Sequence, residues 1–225
     1  DVTGVQTCAL PISVSQTGSP ASQTQIRLRG SEANHILVTI DGIEANNAGQ
    51  NDEFTWGTLS PNDIERIEII KGPQSTLYGS DAMAGVIHII TRPADSGPRL
   101  AFKTEAGSFG TERMAGTWRH AGEKLQLQLS ADHIDTDGTN IARTGGEEDG
   151  LQNLTLSMSG RWLPVADLSV GFTLRQSDKT TDFDAIDFFT TGLPVDADYT
   201  SESEYRYAAV EINHDISDRF DHSFT

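Results

Sequence analysis

The sequence predicts a mixed α/β unit followed by antiparallel strands of a membrane-crossing β-barrel. Three observations predict it. Residues 26–92 set short apolar runs between turn residues, as a small αβ layer requires. From residue 100 onward, apolar and polar side chains alternate with the period of a strand. Long and short connections also alternate along that second region, as they do in barrels with one watery loop face and one tight-turn face. No run of about 18 apolar residues occurs, so no transmembrane helix is expected.

In chain order, residues 13–25 are rich in Ser, Thr, Gln and Gly and are expected to be a loop. IRLRG (26–30) reads as a short strand. HILVTIDGIEA (35–45) reads as a strand, a turn at Asp41-Gly42 and a short return. Residues 46–58 are a polar loop carrying Phe54 and Trp56. Ser60-Pro61-Asn62-Asp63 predicts a short helix, with Ser60 as cap and Pro61 in the first turn. IERIEIIKG (64–72) and GVIHIIT (85–91) read as strands.

Between them stands GPQSTLYGSDAMAG (72–85). Gly72 and Pro73 end one strand in a turn. Gly79, Ala82, Ala84 and Gly85 are expected to let backbone pack against backbone where a larger Cβ substituent would clash. Tyr78 is expected to bury its ring, and His88 to be a packed or lumen-facing histidine rather than a metal ligand.

After residues 93–98 (PADSGP) the pattern changes. Leu125, Leu127, Leu129 and Ala131 share one face, opposite Gln126, Gln128, Ser130 and Asp132. Leu154, Leu156, Met158 and Trp162 oppose Thr155, Ser157, Ser159 and Arg161. Val170, Phe172 and Leu174 oppose Ser169, Thr173 and Arg175. Segments of about 9–11 residues suit a tilted membrane strand. A soluble sandwich alternates as well. The loops favour the barrel: the connections at SFGT, AGEK, LPVAD and ISDR are short, and those near 135–150 and 178–203 are long. About seven strands are expected, too few and too odd a number to close a barrel by themselves.

Composition narrows the function. The net charge of −17 argues against a nucleic-acid partner, which clustered Lys and Arg would serve. Acidic surfaces suit cations such as Ca²⁺. Mean hydropathy is −0.38, a value that alternation makes uninformative for a barrel. The single cysteine, Cys8, provides neither a disulfide nor a metal cluster. It lies within VTGVQTCALPI (2–12), which resembles a translated sequencing-library adapter. Residues 1–12 are therefore set aside as an artefact, and both ends are expected to be cut. No nucleophile elbow, P-loop or HExxH pattern occurs, so no enzyme is expected.

VTIDGIEANN (38–47) and IERIEIIKGPQSTLYGSDAMAGVIHIITR (64–92), with the strands beyond them, resemble TonB-dependent outer-membrane receptors. Ala84 and His88 depart from the commonest form of the motif. The resemblance implies a partial plug domain over 13–93 and the first strands of a barrel of about 22 strands over 94–225. It makes Gly72, Pro73, Tyr78, Gly79 and Gly85 a structural motif of the plug. The implied location is the Gram-negative outer membrane, with outer-membrane lipid and a TonB complex as partners, the latter through a segment not present here. The implied activity is energised uptake of a large scarce solute.

The loops DGTNIARTGGEEDGL (137–151) and KTTDFDAIDFFTTGLPVD (179–196) resemble those of the cobalamin receptor subgroup, where loop aspartates hold calcium. Carried over by position, Asn140, Glu147, Asp149, Asp184 and Asp196 are candidate Ca²⁺ ligands. Asn51, Asp52 and Trp56 at the plug apex, with Phe188 and Tyr199 in the second loop, are candidate solute contacts. Cobalamin is the favoured solute. The alternatives are a ferric siderophore or, in another class, a soluble β-rich binding or adhesion domain.

Overall fold

The computed structural model describes residues 12–16, 23–94, 99–142, 145–217 and 220–224. Cys8, nearly all of the adapter-like stretch, residues 95–98 of the linker and residues 218–219 of the ISDR turn lie outside them.

The first unit is a small αβ body. β1 (Ile12–Gln16) and β2 (Thr24–Leu28) form an antiparallel hairpin, so part of the expected loop over 13–25 is strand. A four-stranded sheet follows, from β3 (Ile36–Ile40), β4 (Ile43–Glu44), β5 (Ile64–Lys71) and β6 (Gly85–Thr91), in the order β4-β3-β6-β5. β3 and β6 run parallel, and the other pairs are antiparallel. All five residues of β3 are buried. Its unbroken apolar run is the mark of a strand covered on both faces. Leu28, Ile36, Val38, Ile40, Phe54, Ile87 and Ile89 form the core.

The stretch between β5 and β6 holds one four-residue helix, α1 (Ser75–Tyr78). Gly85 fits the expectation of close packing. A Cβ there would lie 2.4 Å from the Ile70 carbonyl oxygen and 2.6 Å from Leu28 Cδ1. Gly79 does not fit it: the space around it is open, and its φ of +89° is what favours glycine. Tyr78 is 39% exposed rather than buried, with its ring 5.3 Å from that of His88. His88 is held by Thr39 Oγ1 at 2.7 Å.

The expected helix at Ser60–Asp63 is absent. Ser60 Oγ accepts from Asn62 N at 3.3 Å, closing a tight turn that runs straight into β5. Asn62 and Asp63 both turn their side chains onto the strand wall described next, and those contacts outweigh the capping preference.

The second unit is a seven-stranded antiparallel meander. It comprises β7 (Leu100–Ala106), β8 (Glu112–Ala121), β9 (Leu125–Thr136), β10 (Leu151–Val165), β11 (Leu168–Ile186), β12 (Pro194–Ser217) and β13 (Phe220–Phe224). Each strand pairs with its neighbour in sequence. The strands run from 5 to 24 residues, well past the expected span at the upper end. The expected loop over 178–203 is mostly strand: β11 and β12 stay paired up to Ile186↔Pro194, which leaves residues 187–193 as the connection.

Burial across this wall is inverted. The polar positions Arg119, Gln128, Asp132, Asn153, Thr155, Arg175 and Ser177 are buried, while Leu125, Leu129, Leu154, Leu156, Trp162 and Leu174 are exposed. The polar face packs on the αβ unit, and the apolar face meets no other part of the described chain. A soluble sandwich would bury those leucines against a second sheet.

Candidate functional site

The αβ unit is fastened to the wall by polar contacts. Thr55 Oγ1 donates to Tyr205 Oη (3.0 Å), Asn62 Nδ2 to Asp132 Oδ2 (2.5 Å) and Tyr207 Oη to the Ala45 carbonyl (3.2 Å). Arg175 Nη1 pairs with Asp63 Oδ2 at 3.0 Å, in a site where both side chains are buried.

Above this seam, on the side of the long loops, lies a cavity of 860 Å³. Its floor comes from Asn51, Phe54, Thr55 and Trp56 of the first unit. Its wall comes from Lys179, Thr181, Phe183, Ile186, Pro194 and Tyr205. Phe54 and Trp56 meet edge to face, with centroids 4.8 Å apart. Of the candidate solute contacts, Asn51 and Trp56 line the cavity. Tyr199 stands behind it, its ring 5.8 Å from that of the lining Phe183. Asp52 sits in the neighbouring turn, its N–H bonded to the Asn47 carbonyl. Phe188, 79% exposed, is at the tip of the β11–β12 hairpin and does not line the cavity. Lys179 and Tyr205 carried no sequence signal of their own; they sit on strand positions that only the packing of the two units turns toward one space.

The acidic loop residues converge beside this cavity. Carboxylate oxygens of Glu147, Asp184 and Asp196 lie within 4.8 Å of one another. Asp149 and Asp184 line the cavity as well. Asp149 Oδ2 accepts from Ile141 N at 3.1 Å, and Asp184 Oδ1 accepts from Ala197 N at 3.0 Å. Asn140 takes a different place from the other four. Its Nδ2 donates to Asp196 Oδ1 at 2.5 Å and its Oδ1 accepts from Ala142 N, so it orients Asp196.

The donor set fits a hard divalent cation. Glu147 Oε2, Asp149 Oδ1 and Asp184 Oδ2 are buried with no hydrogen-bond partner. Gly145 lies so close to Asp196 that a Cβ there would fall 1.9 Å from its Cγ, so glycine lets the loop fold over the carboxylate. Burial, followed by repulsion from Asp149, Asp184, Asp198 and Asp196, pushes the Glu147 carboxyl above the usual range. Burial is also the largest cause of the raised Asp149 carboxyl, and Asp184, Asp182 and Asp196 add to it, against the lowering by the Ile141 N–H. Crowded oxygens that resist ionisation are what a bound cation relieves.

An αβ unit seated on the polar face of an antiparallel wall whose other face is apolar is the arrangement of a plugged β-barrel. Comparison with known proteins shows what the chain is similar to. Residues 1–86 match the family model described as the TonB-dependent Receptor Plug Domain. The ferric yersiniabactin uptake receptor FyuA from Yersinia pestis aligns with a TM-score of 0.67 at 20% identity, over 94% of this chain and 35% of that one. The FrpB iron transporter from Neisseria meningitidis aligns with a TM-score of 0.71 at 12% identity, over 96% and 36%. The copper transporter OprC aligns with a TM-score of 0.67 at 17% identity, over 92% and 31%. The chain thus spans about a third of the length of these structures. Residues 1–86 thus resemble a TonB-dependent receptor plug, and the chain as a whole shares the fold of these receptor structures.

Proposed function

We propose that the chain is part of an energy-coupled outer-membrane receptor, and that cobalamin is the solute it takes up from the outer face. The observation that carries this reading is the convergence of Glu147, Asp149, Asp184 and Asp196 at the rim of the 860 Å³ cavity. Calcium at that rim neutralises the carboxylates, ties the 137–150 loop to the β11–β12 hairpin, and fixes the mouth through which a large solute enters. The plug apex supplies an aromatic floor in Phe54 and Trp56. Uptake requires an inner-membrane TonB complex to pull on the plug.

A second reading has support of its own. FyuA and PfeA are named for ferric siderophores, and both share this fold. In that case the acidic rim is a structural calcium clamp only. Equilibrium binding to the receptor in detergent, with and without a calcium chelator, separates the two. Cyanocobalamin bound only with calcium supports the first reading. A ferric siderophore bound equally well in chelator, with no retention of cyanocobalamin, replaces it with the second.

A further inference from the structure

Two cavities lie along one strip of the wall, on opposite sides of the seam. The outer one is the candidate solute site. The second, of 750 Å³, lies toward the short turns, between Ser159, Thr173 and Ala209 of the wall and Asp41, Thr91 and Arg92 of the plug.

Strand register shows what separates them. Lys179 pairs with Ser203, and both border the outer cavity. Thr173 pairs with Ser159 and Ala209, and all three border the inner one. Only two rungs of inward-facing side chains intervene. The upper rung is Asp132–Thr155–Ser177–Tyr205, and the lower is Ser130–Ser157–Arg175–Tyr207. Six residues separate Thr173 from Lys179, about 20 Å of strand.

Both rungs are bonded to the plug. In the upper one, Asp132 accepts from Asn62, Thr155 Oγ1 donates to the Thr58 carbonyl, and Tyr205 accepts from Thr55. In the lower one, Ser157 and Arg175 both donate to Asp63 Oδ2, and Tyr207 donates to the Ala45 carbonyl. The neutral bonds among these, made by Thr55, Thr155 and Tyr207, exchange for water with little net change, whereas those accepted by the Asp132 and Asp63 carboxylates hold harder. The Asp63–Arg175 ion pair is the contact that resists opening, because its separation exposes two charges in a dry site. Yet Arg175 reaches one carboxylate oxygen, and Asp63 Oδ1 is buried without a partner. A bidentate fork would grip harder. The seam is closed by a contact built to part.

We propose that this two-rung seam is the gate of the solute path, that the path follows the inner face of β10–β12 from the outer to the inner cavity, and that Asp63–Arg175 is its closing contact. The assignment rests on the uptake function proposed for the chain. The test is thiol labelling of the receptor in intact outer membranes, in a Cys8→Ser background. Ser159→Cys places a thiol in the inner cavity, and a membrane-impermeant maleimide is added from outside. With the pair intact, labelling is slow. With Asp63→Asn and Arg175→Gln together, it is expected to accelerate at least ten-fold, while heat-modifiable migration on gels stays that of a folded barrel. If the double variant does not assemble, Ser157→Ala removes one bond to the Asp63 carboxylate and is expected to accelerate labelling about ten-fold. Unchanged labelling in a folded variant overturns the gate. Phe189→Cys at the hairpin tip must label rapidly in every background; its failure to do so strikes the outer-membrane reading and not the gate.

Discussion

Arg175 of β11 and Asp63 of the plug meet at 3.0 Å with side-chain exposures of 3% and 2%, so the two units share one buried ion pair. Removing one partner leaves the other charge buried and unpaired. Arg175→Ala is therefore expected to cost about 3–5 kcal/mol in denaturant unfolding of the folded receptor. Replacing both by neutral residues should cost much less. A double-mutant cycle showing simple additivity would contradict the coupling.

The proposed membrane location sets the outward leucines against lipid. Leu156 is 46% exposed and lies midway along the apolar face of β10. Leu156→Arg should destabilise folding into lipid vesicles by about 2–4 kcal/mol. The same change in a soluble sandwich surface would cost little. Folding yield against lipid content, read by gel migration, decides between them.

The loop carboxyls predict a pH dependence whose sign follows from their direction of shift. Glu147 and Asp149 are both raised in the folded chain. A raised carboxyl favours the fold below its unfolded value, and that contribution is lost as pH rises through the folded value. Without divalent cations, the outer loops should therefore be less ordered at neutral pH than in mild acid. Calcium reverses this at neutral pH, and protons compete with it, so calcium affinity should fall on acidification. Calorimetric titration with calcium at neutral and mildly acidic pH, and hydrogen exchange at Ile141 and Ala197 corrected for intrinsic rates, check the two statements. Asp184→Asn should weaken calcium binding at least ten-fold, while Asp187→Asn, at the hairpin tip, should not.

Two glycines of the plug motif should differ in their response to alanine. At Gly85 the added methyl meets the Ile70 carbonyl and Leu28, and overpacking of this kind costs about 1–3 kcal/mol. At Gly79 the space is open, so only the backbone, at φ +89° and ψ −171° in a region essentially restricted to glycine, opposes the change, at about 1–3 kcal/mol. A compensating Leu28→Ala should recover part of the loss for Gly85→Ala and none for Gly79→Ala. Melting of the purified receptor reads both.

The sequence by itself determined which side of each wall strand is apolar and which is polar, because a period-two pattern over β9, β10 and β11 admits one assignment of faces. It also determined the plug strands, since ILVTI and GVIHIIT are apolar runs covered on both faces. It gathered the acidic residues in two stretches, of which the second is mostly the paired ends of β11 and β12 rather than a loop. Only the tertiary structure decided the rest. The β11–β12 hairpin continues beyond Leu174 as strand with polar residues on both faces; its inner face is buried through polar side chains such as Arg175, Ser177 and Thr181, so the apolar alternation that would reveal a strand is lost. Ser60–Asp63 carries helix-start signals, yet the wall draws Asn62 and Asp63 into a turn. The convergence of Glu147 with Asp184 and Asp196, and the meeting of Arg175 with Asp63, join residues far apart in the chain. Such pairings depend on how two units dock, and local propensity has no term for that.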